Sequence, residues 1–481
     1  MTTTSPASYL TSVALASCYA IAPALELPPE AAKIPAHPVT ASGPFKPAWE
    51  SLEQYQVPAW FQDAKFGVFM HWGPQTLAGA DGTADGSKTR NWEDYAKAFK
   101  GDRFDAKRWA EMFRKAGAKY VVQVVEHHDG YALYDATYTP WSSVKMAPKR
   151  DFAAELSAAV RKEGLVWGAS SHTEEYWWFH DKPPRPAPPA PMPGRPTAPQ
   201  PDKEFLDWWY ARLGEIVEKY QPQVFWFDWC IEQPGYEPYL RQFAAYYYNR
   251  AAAWNQGVVL NYKYEAIPAK AAVLDISWNT GRFAWRPETV HPAVWQFDTM
   301  SNRTSWFWRP DMTIRPVAEI IAEMADVVSK NGNYLLNFTP APDGSSTAGQ
   351  DQLLTGIGDW LKVNGEAIYG TRPWRVFGEG PTEGLGPKFQ GNPPKAPYTG
   401  EDFRFTTKGD AIYAIGLAWP ESRRATIKAM AAGSPGLPRD IKAVRLLGSD
   451  VAPEWKRGPD GLTVVLPAPP PGTAVYALEI R

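Results

Sequence analysis

The feature that most constrains this chain is an alternation. From residue 58 to about 365, short apolar runs are separated by amphipathic segments. Residues 65–71 (KFGVFMH), 120–125, 165–169, 224–227, 258–261, 272–276 and 334–338 read as strands. Residues 104–116, 151–162, 204–220 and 317–330 read as helices; in 151–162 the apolar residues Phe152, Leu156 and Val160 recur every fourth position. Strands that are apolar without alternation are buried on both faces, which implies a parallel sheet covered by helices. About eight such units over roughly 300 residues suit a (β/α)8-like barrel. A doubly wound open sheet is the alternative, but no Gly-rich first turn with phosphate-binding spacing is present.

After Trp374 the pattern changes to short runs with turn signals between them: 402–407, 411–419, 425–429, 441–447, 462–465 and 474–480. This predicts an all-β sandwich over 375–481, following a catalytic barrel over 31–374. Within the barrel, residues 183–201 hold ten prolines, so 181–203 is expected to be a polyproline-type loop between a strand and its helix. Residues 1–30 lack Lys and Arg, and form a weak, signal-like leader in which Leu15-Ala16-Ser17-Cys18 fits a lipoprotein cleavage box. The chain is therefore expected to be exported, whether periplasmic, extracellular or anchored through Cys18. Cys18 and Cys230 are the only cysteines, too few for a disulfide scaffold. Fifty Lys and Arg against 52 Asp and Glu leave a net charge of −2, without the basic surplus of a nucleic-acid binder. No apolar stretch is long enough to span a membrane.

Barrel enzymes place their reacting groups at the carboxyl ends of strands. Those ends carry His71-Trp72, Glu126-His127-His128-Asp129, Ser170-Ser171-His172, Asp228-Trp229 and Asn261-Tyr262-Lys263. Four of the seven histidines fall there, which marks a site. A metal centre is one use for them, but His127 and His128 are adjacent and point to opposite faces of a strand unless a loop re-aims one. Sugar recognition is the other use, since neutral imidazoles donate to and accept from hydroxyls. Trp72, Trp92, Trp226, Trp229, Trp285, Trp295 and Trp306 are available to stack on sugar rings. Asp228 follows four apolar residues directly, a place where a carboxylate is retained when it is paired or used. Glycoside hydrolysis needs a second carboxyl at about 5–5.5 Å for retention or roughly 6.5–9.5 Å for inversion. Glu232, Glu265, Asp275, Glu288 and Asp298 are candidates that spacing does not separate.

Five blocks resemble glycoside hydrolase family 29, the α-L-fucosidases, and occur in that family's order. They are Trp60-Phe61-Gln62-Asp63-Ala64-Lys65-Phe66-Gly67 running into His71-Trp72-Gly73; His127-His128-Asp129-Gly130 with Pro148-Lys149-Arg150-Asp151; Trp226-Phe227-Asp228; Ser329–Asn337 (SKNGNYLLN); and Asn364–Tyr369 (NGEAIY). The resemblance implies a retaining hydrolase without a cofactor or metal, acting on fucosylated oligosaccharides or glycoconjugates through a covalent glycosyl–enzyme intermediate. Asp228 takes the place of its nucleophile. Glu288, ahead of Trp295-Gln296-Phe297-Asp298 and Ser305-Trp306, takes that of its acid/base, with Glu232 and Glu265 in reserve. His71, His127, His128 and Trp92 match positions that hold fucose hydroxyls, and Trp306 the aromatic that packs on the sugar's methyl group.

The chain also departs from the family. Asn91-Trp92 stands where Glu-Trp is common, Ser170 or Ser171 for a pocket tyrosine, Lys263 for a pocket arginine, and Trp229 for the glycine after the nucleophile. A modified fucose or related L-galacto sugar is thereby an alternative substrate. A non-catalytic carbohydrate-binding protein on the same fold is the rival from another class, and a metal-dependent hydrolase a third.

Overall fold

The computed structural model describes residues 32–34, 39–80, 92–175, 201–276, 287–382, 397–435, 437, 440–470, 472 and 474–481. Eight parallel strands form the first unit: β1 (Phe66–Met70), β2 (Tyr120–Glu126), β3 (Val166–Ser171), β4 (Val224–Phe227), β5 (Val259–Tyr262), β6 (Val273–Leu274), β7 (Trp295–Met300) and β8 (Gly332–Phe338). Their order is β6-β5-β4-β3-β2-β1-β8-β7, and a parallel bridge between Asp275 and Gln296 brings the two edges together. This is the expected (β/α)8-like barrel. The strand over residues 295–300 was not among those expected, because its inward positions are Gln296 and Asp298 and the run looks polar.

Alternation along each strand sorts side chains between two apolar layers. Phe69, Val122, Val124, Val224, Trp226, Val259, Val273 and Leu335 fill the barrel interior. Val68, Met70, Val121, Phe225, Phe227, Leu260, Phe297 and Leu336 face the surrounding helices. The helices over Ala106–Lys115, Phe152–Lys162 and Lys203–Tyr220 start at Asp105, Asp151 and Asp202, whose carboxylates accept from N–H groups of the first turn. A methyl group on Gly168 would lie 2.6 Å from Val224 Cβ, so β3 and β4 leave no room between them.

The second unit is antiparallel: five strands over residues 372–379, 403–408, 411–416, 444–446 and 476–480, and three over 424–427, 455–458 and 461–465. Its first strand, residues 372–379, pairs with 403–408. It is joined to the barrel by an ion pair between Arg404 and Asp326 (2.6 Å) and by the Trp360 indole donating to the Val475 carbonyl. Among the described residues no helix is long and apolar enough to cross a membrane. The leader, most of the proline-rich loop, Asn91 and Trp285 lie outside the described residues, as does the Trp92 side chain.

Candidate active site

The strand alternation that fills the barrel with apolar side chains also aims its last residues into the mouth. Phe69, Trp226 and Val259 point inward, so His71, Asp228 and Lys263 do too. Trp72, one residue further, turns outward and is enclosed by Phe99, Phe104, Trp109 and Phe152. Trp295 is likewise buried in the helix-facing layer and donates to the Lys330 carbonyl. These two tryptophans are therefore core, not sugar platforms. Trp226 is engaged inside the barrel, its indole donating to Asp275 Oδ2 (2.8 Å).

His127 and His128 are rearranged by an irregularity. The β2–β3 register shifts between Val124 and Glu126, which turns Glu126 toward the helix over Lys203–Tyr220. There Arg212 donates to Glu126 Oε2 through Nε (2.9 Å) and Nη2 (2.5 Å). Tyr134 donates to the same oxygen (3.0 Å), and Ser171 and Thr173 donate to Oε1 (2.7 and 3.2 Å). The shift leaves His127 in the mouth, its ring 5.7 Å from His71 and 4.5 Å from His172.

Asp228 is the centre of the mouth. Lys263 Nζ lies 3.0 Å from its Oδ1, and His172 Nδ1 lies 3.2 Å and His128 Nε2 3.6 Å from its Oδ2. Its backbone N–H donates to Glu174 Oε1 (2.9 Å), on the turn that follows His172. Burial alone pushes the Asp228 carboxyl up, but Lys263, then His172 and His128, outweigh it and hold the group well below the usual carboxylate range. Lys263 is held above its ordinary value because the charges of Asp228, Asp298 and Asp275 exceed the cost of its burial.

His71, His127 and His172 are neutral acceptors and donors. Asn337 Nδ2 donates to the Trp306 carbonyl, which orients the amide so that its Oδ1 accepts from His71 Nδ1–H (2.8 Å). His71 Nε2 is then left as an acceptor. The Gln75 amide meets His127 Nδ1 at 2.5 Å. Burial, followed by neighbouring histidines, pushes His71 and His127 well down. Burial takes His172 to about 4 against the opposing pull of Asp228. The half-buried Trp306 ring lies 5.0 Å from His71, at the edge of the same space.

Ligand atoms of His71, His127 and His172, and of His128, His172 and Asp228, lie within 4.8 Å of one another. Either trio is compact enough to be drawn onto a cation. However, the Lys263 ammonium already sits against Asp228, and the His127 and His172 rings are stacked (25° between planes) rather than aimed at one point.

The candidate acids are scattered. Asp275 and Asp298 are buried inside the barrel, and Glu265 is exposed. Glu288 is exposed in the loop ahead of β7. Glu232 is half-buried in the turn after β4, and burial together with the Asp228 charge raises its carboxyl to about 6. His172 is one of the four strand-end histidines expected to line the site, and the structure gives it its partner, Asp228. Glu174, Asn337 and Gln75 were not among the expected site residues, and only the folded geometry reveals their contacts.

With that geometry in place, comparison with known proteins is decisive. The alpha-L-fucosidase family matches residues 33–366, and the alpha-L-fucosidase C-terminal domain matches residues 397–480. The chain belongs to the alpha-L-fucosidase family. It is 31% identical to the tissue alpha-L-fucosidase of Bos taurus over 461 residues, covering 89% of this chain and 88% of that one. It is 29% identical to the corresponding protein of Rattus norvegicus over 453 residues, covering 89% and 90%. A solved Thermotoga maritima alpha-fucosidase superimposes with a TM-score of 0.70 at 25% identity, covering 91% of this chain and all of that one. The family is one of glycoside hydrolases, and the chain is an enzyme of that class.

Proposed function

We propose that the protein removes terminal α-L-fucose from fucosylated oligosaccharides and glycoconjugates by double displacement. Asp228 attacks the anomeric carbon as the bond to the leaving oxygen breaks, and a carboxylic acid gives its proton to that oxygen. The resulting carboxylate then takes a proton from water, whose oxygen attacks the same carbon and releases Asp228. The observation that carries this reading is Asp228 itself: an ionised, partly solvated carboxylate at the barrel mouth, beside His172 and in the same space as His71 and His127, which burial keeps neutral and able to bond hydroxyls. A Thermotoga maritima alpha-fucosidase at 25% identity has been solved in complex with a mechanism-based inhibitor, which supports the same chemistry.

The resemblance assigns the acid/base to Glu288, whose exposed side chain then has to turn toward the mouth when sugar binds. Glu232 is a second reading, favoured by a carboxyl raised to about 6 next to Asp228. Removal of the acid/base slows substrates with poor leaving groups far more than activated aryl glycosides, so Glu288→Ala and Glu232→Ala compared on both identify it. His71, His127, His128 and Trp306 are assigned to sugar contacts. Lys263 is engaged by two carboxylates in a position where the family carries an arginine, which favours a modified fucose or L-galacto sugar as an alternative substrate. Export rests on the leader sequence alone.

The test is hydrolysis of an aryl α-L-fucoside followed by NMR. The first-formed product is expected to be α-L-fucose. A β-anomer contradicts double displacement, and turnover of an aryl α-L-galactoside alone selects the alternative sugar.

A further inference from the structure

Behind Asp228 the barrel interior contains a second pair of acids. Asp275 follows β6 and Asp298 lies on β7, both buried. Asp275 Oδ2 accepts from Trp226 (2.8 Å) and the Gln296 amide Nε2 (2.5 Å), and Tyr120 donates to Gln296 Oε1 (2.8 Å). Asp298 Oδ2 faces Lys263 Nζ at 3.5 Å. Among the described residues no donor reaches Asp275 Oδ1 or Asp298 Oδ1. Burial and then the Asp275 charge push the Asp298 carboxyl well up, and Lys263 opposes them.

We infer that Asp298 is a positioning residue for the nucleophile: anchored by Asp275, it holds the Lys263 ammonium against Asp228. Lysine has a flexible stem and a point charge, so a group 3.0 Å from Asp228 needs a second support to stay there. The Trp226 face (4.6 Å from Nζ) and Asp298 provide it. This inference rests on the reading of Asp228 as the nucleophile. The described groups facing Asp228 are Lys263 from the end of β5, His172 and Glu174 from the β3 side, His128 after β2 and Glu232 after β4, with His71, His127 and Asp298 at longer range.

The test is the pH profile of kcat/KM on an aryl α-L-fucoside for Asp298→Leu, Asp298→Asn, Lys263→Met and the Asp298→Leu/Lys263→Met double variant. Loss of a nearby cation raises a carboxyl by about one to three units. Lys263→Met is expected to move the acid limb upward within that range, and Asp298→Leu upward by about one unit. Asp298→Asn, which keeps an oxygen for Lys263 and an N–H for Asp275, is expected to hold the acid limb in place. In the Lys263→Met background, Asp298→Leu is expected to add no further shift. If Asp298→Leu fails to fold, Asp298→Ser, too short to reach Lys263, carries the same expectation. An unmoved acid limb, or a full additive shift in the double variant, overturns the inference. Retained activity in Asp228→Ala overturns the nucleophile reading instead, whereas an inactive Asp228→Ala beside an unmoved Asp298 limb refutes this inference alone.

Discussion

Two buried acids stand at the barrel rim with β3 between their strands, and they behave differently. Glu126, at the end of β2, is 1% exposed; Arg212, Tyr134, Ser171 and Thr173 donate to its two oxygens. Asp228, after β4, is 8% exposed, and among the described residues its carboxylate faces Lys263 (3.0 Å), His172 (3.2 Å) and, further off, His128 (3.6 Å). A carboxylate whose lone pairs are consumed by protein donors is fixed and unreactive. One held ionised by fewer partners, with a face left to solvent, keeps nucleophilic capacity. Burial and a cation are common to both, so neither alone marks a reacting group. The number of donors and the residual access separate them. The two are also connected, since Ser171 and Thr173 flank His172, and Glu126 precedes His127.

The largest expected effect is on Asp228. Asp228→Asn is expected to lower kcat/KM by at least about 10³-fold. Activity retained within tenfold of the wild type would make Asp228 a structural ion pair and erase the contrast. Glu126→Gln is expected to act on stability instead, leaving Arg212 buried without its counter-charge and costing about 3–5 kcal/mol in denaturant unfolding. An unchanged unfolding midpoint would refute the structural role.

His172, between the two acids, gives a pH-dependent effect. Its folded value of about 4 lies below the usual value for an unfolded chain, so its contribution is present above about 6.5 and is lost as pH falls through about 4. Relative to His172→Gln, the wild type is expected to lose up to about 3 kcal/mol between those limits; parallel stability curves would contradict this. The smallest effect is that of Tyr134→Phe, which removes one of several donors to Glu126: about 1 kcal/mol of stability, with kcat/KM unchanged.

The barrel was legible wherever inward positions are apolar, as in Val224–Phe227, where both faces of the strand are hydrophobic. It was illegible at β7, where the inward side chains are Gln296 and Asp298. Asp228 and the cluster of histidines were legible because a charged residue directly after an apolar strand is costly unless used. The fate of each tryptophan was not, since one step along a strand moves a side chain from the mouth at His71 to the core at Trp72. Nor did the sequence reveal that Lys263 is shared by two aspartates, because that contact joins strands separated by 35 residues.

The most direct test of the central claim is azide rescue of Asp228→Ala on an aryl α-L-fucoside. The variant should be inactive alone, and azide should restore turnover by occupying the vacated side of the anomeric carbon, giving β-L-fucosyl azide. Activity in the variant without azide, or rescue that gives only the α-azide, would contradict Asp228 as the nucleophile.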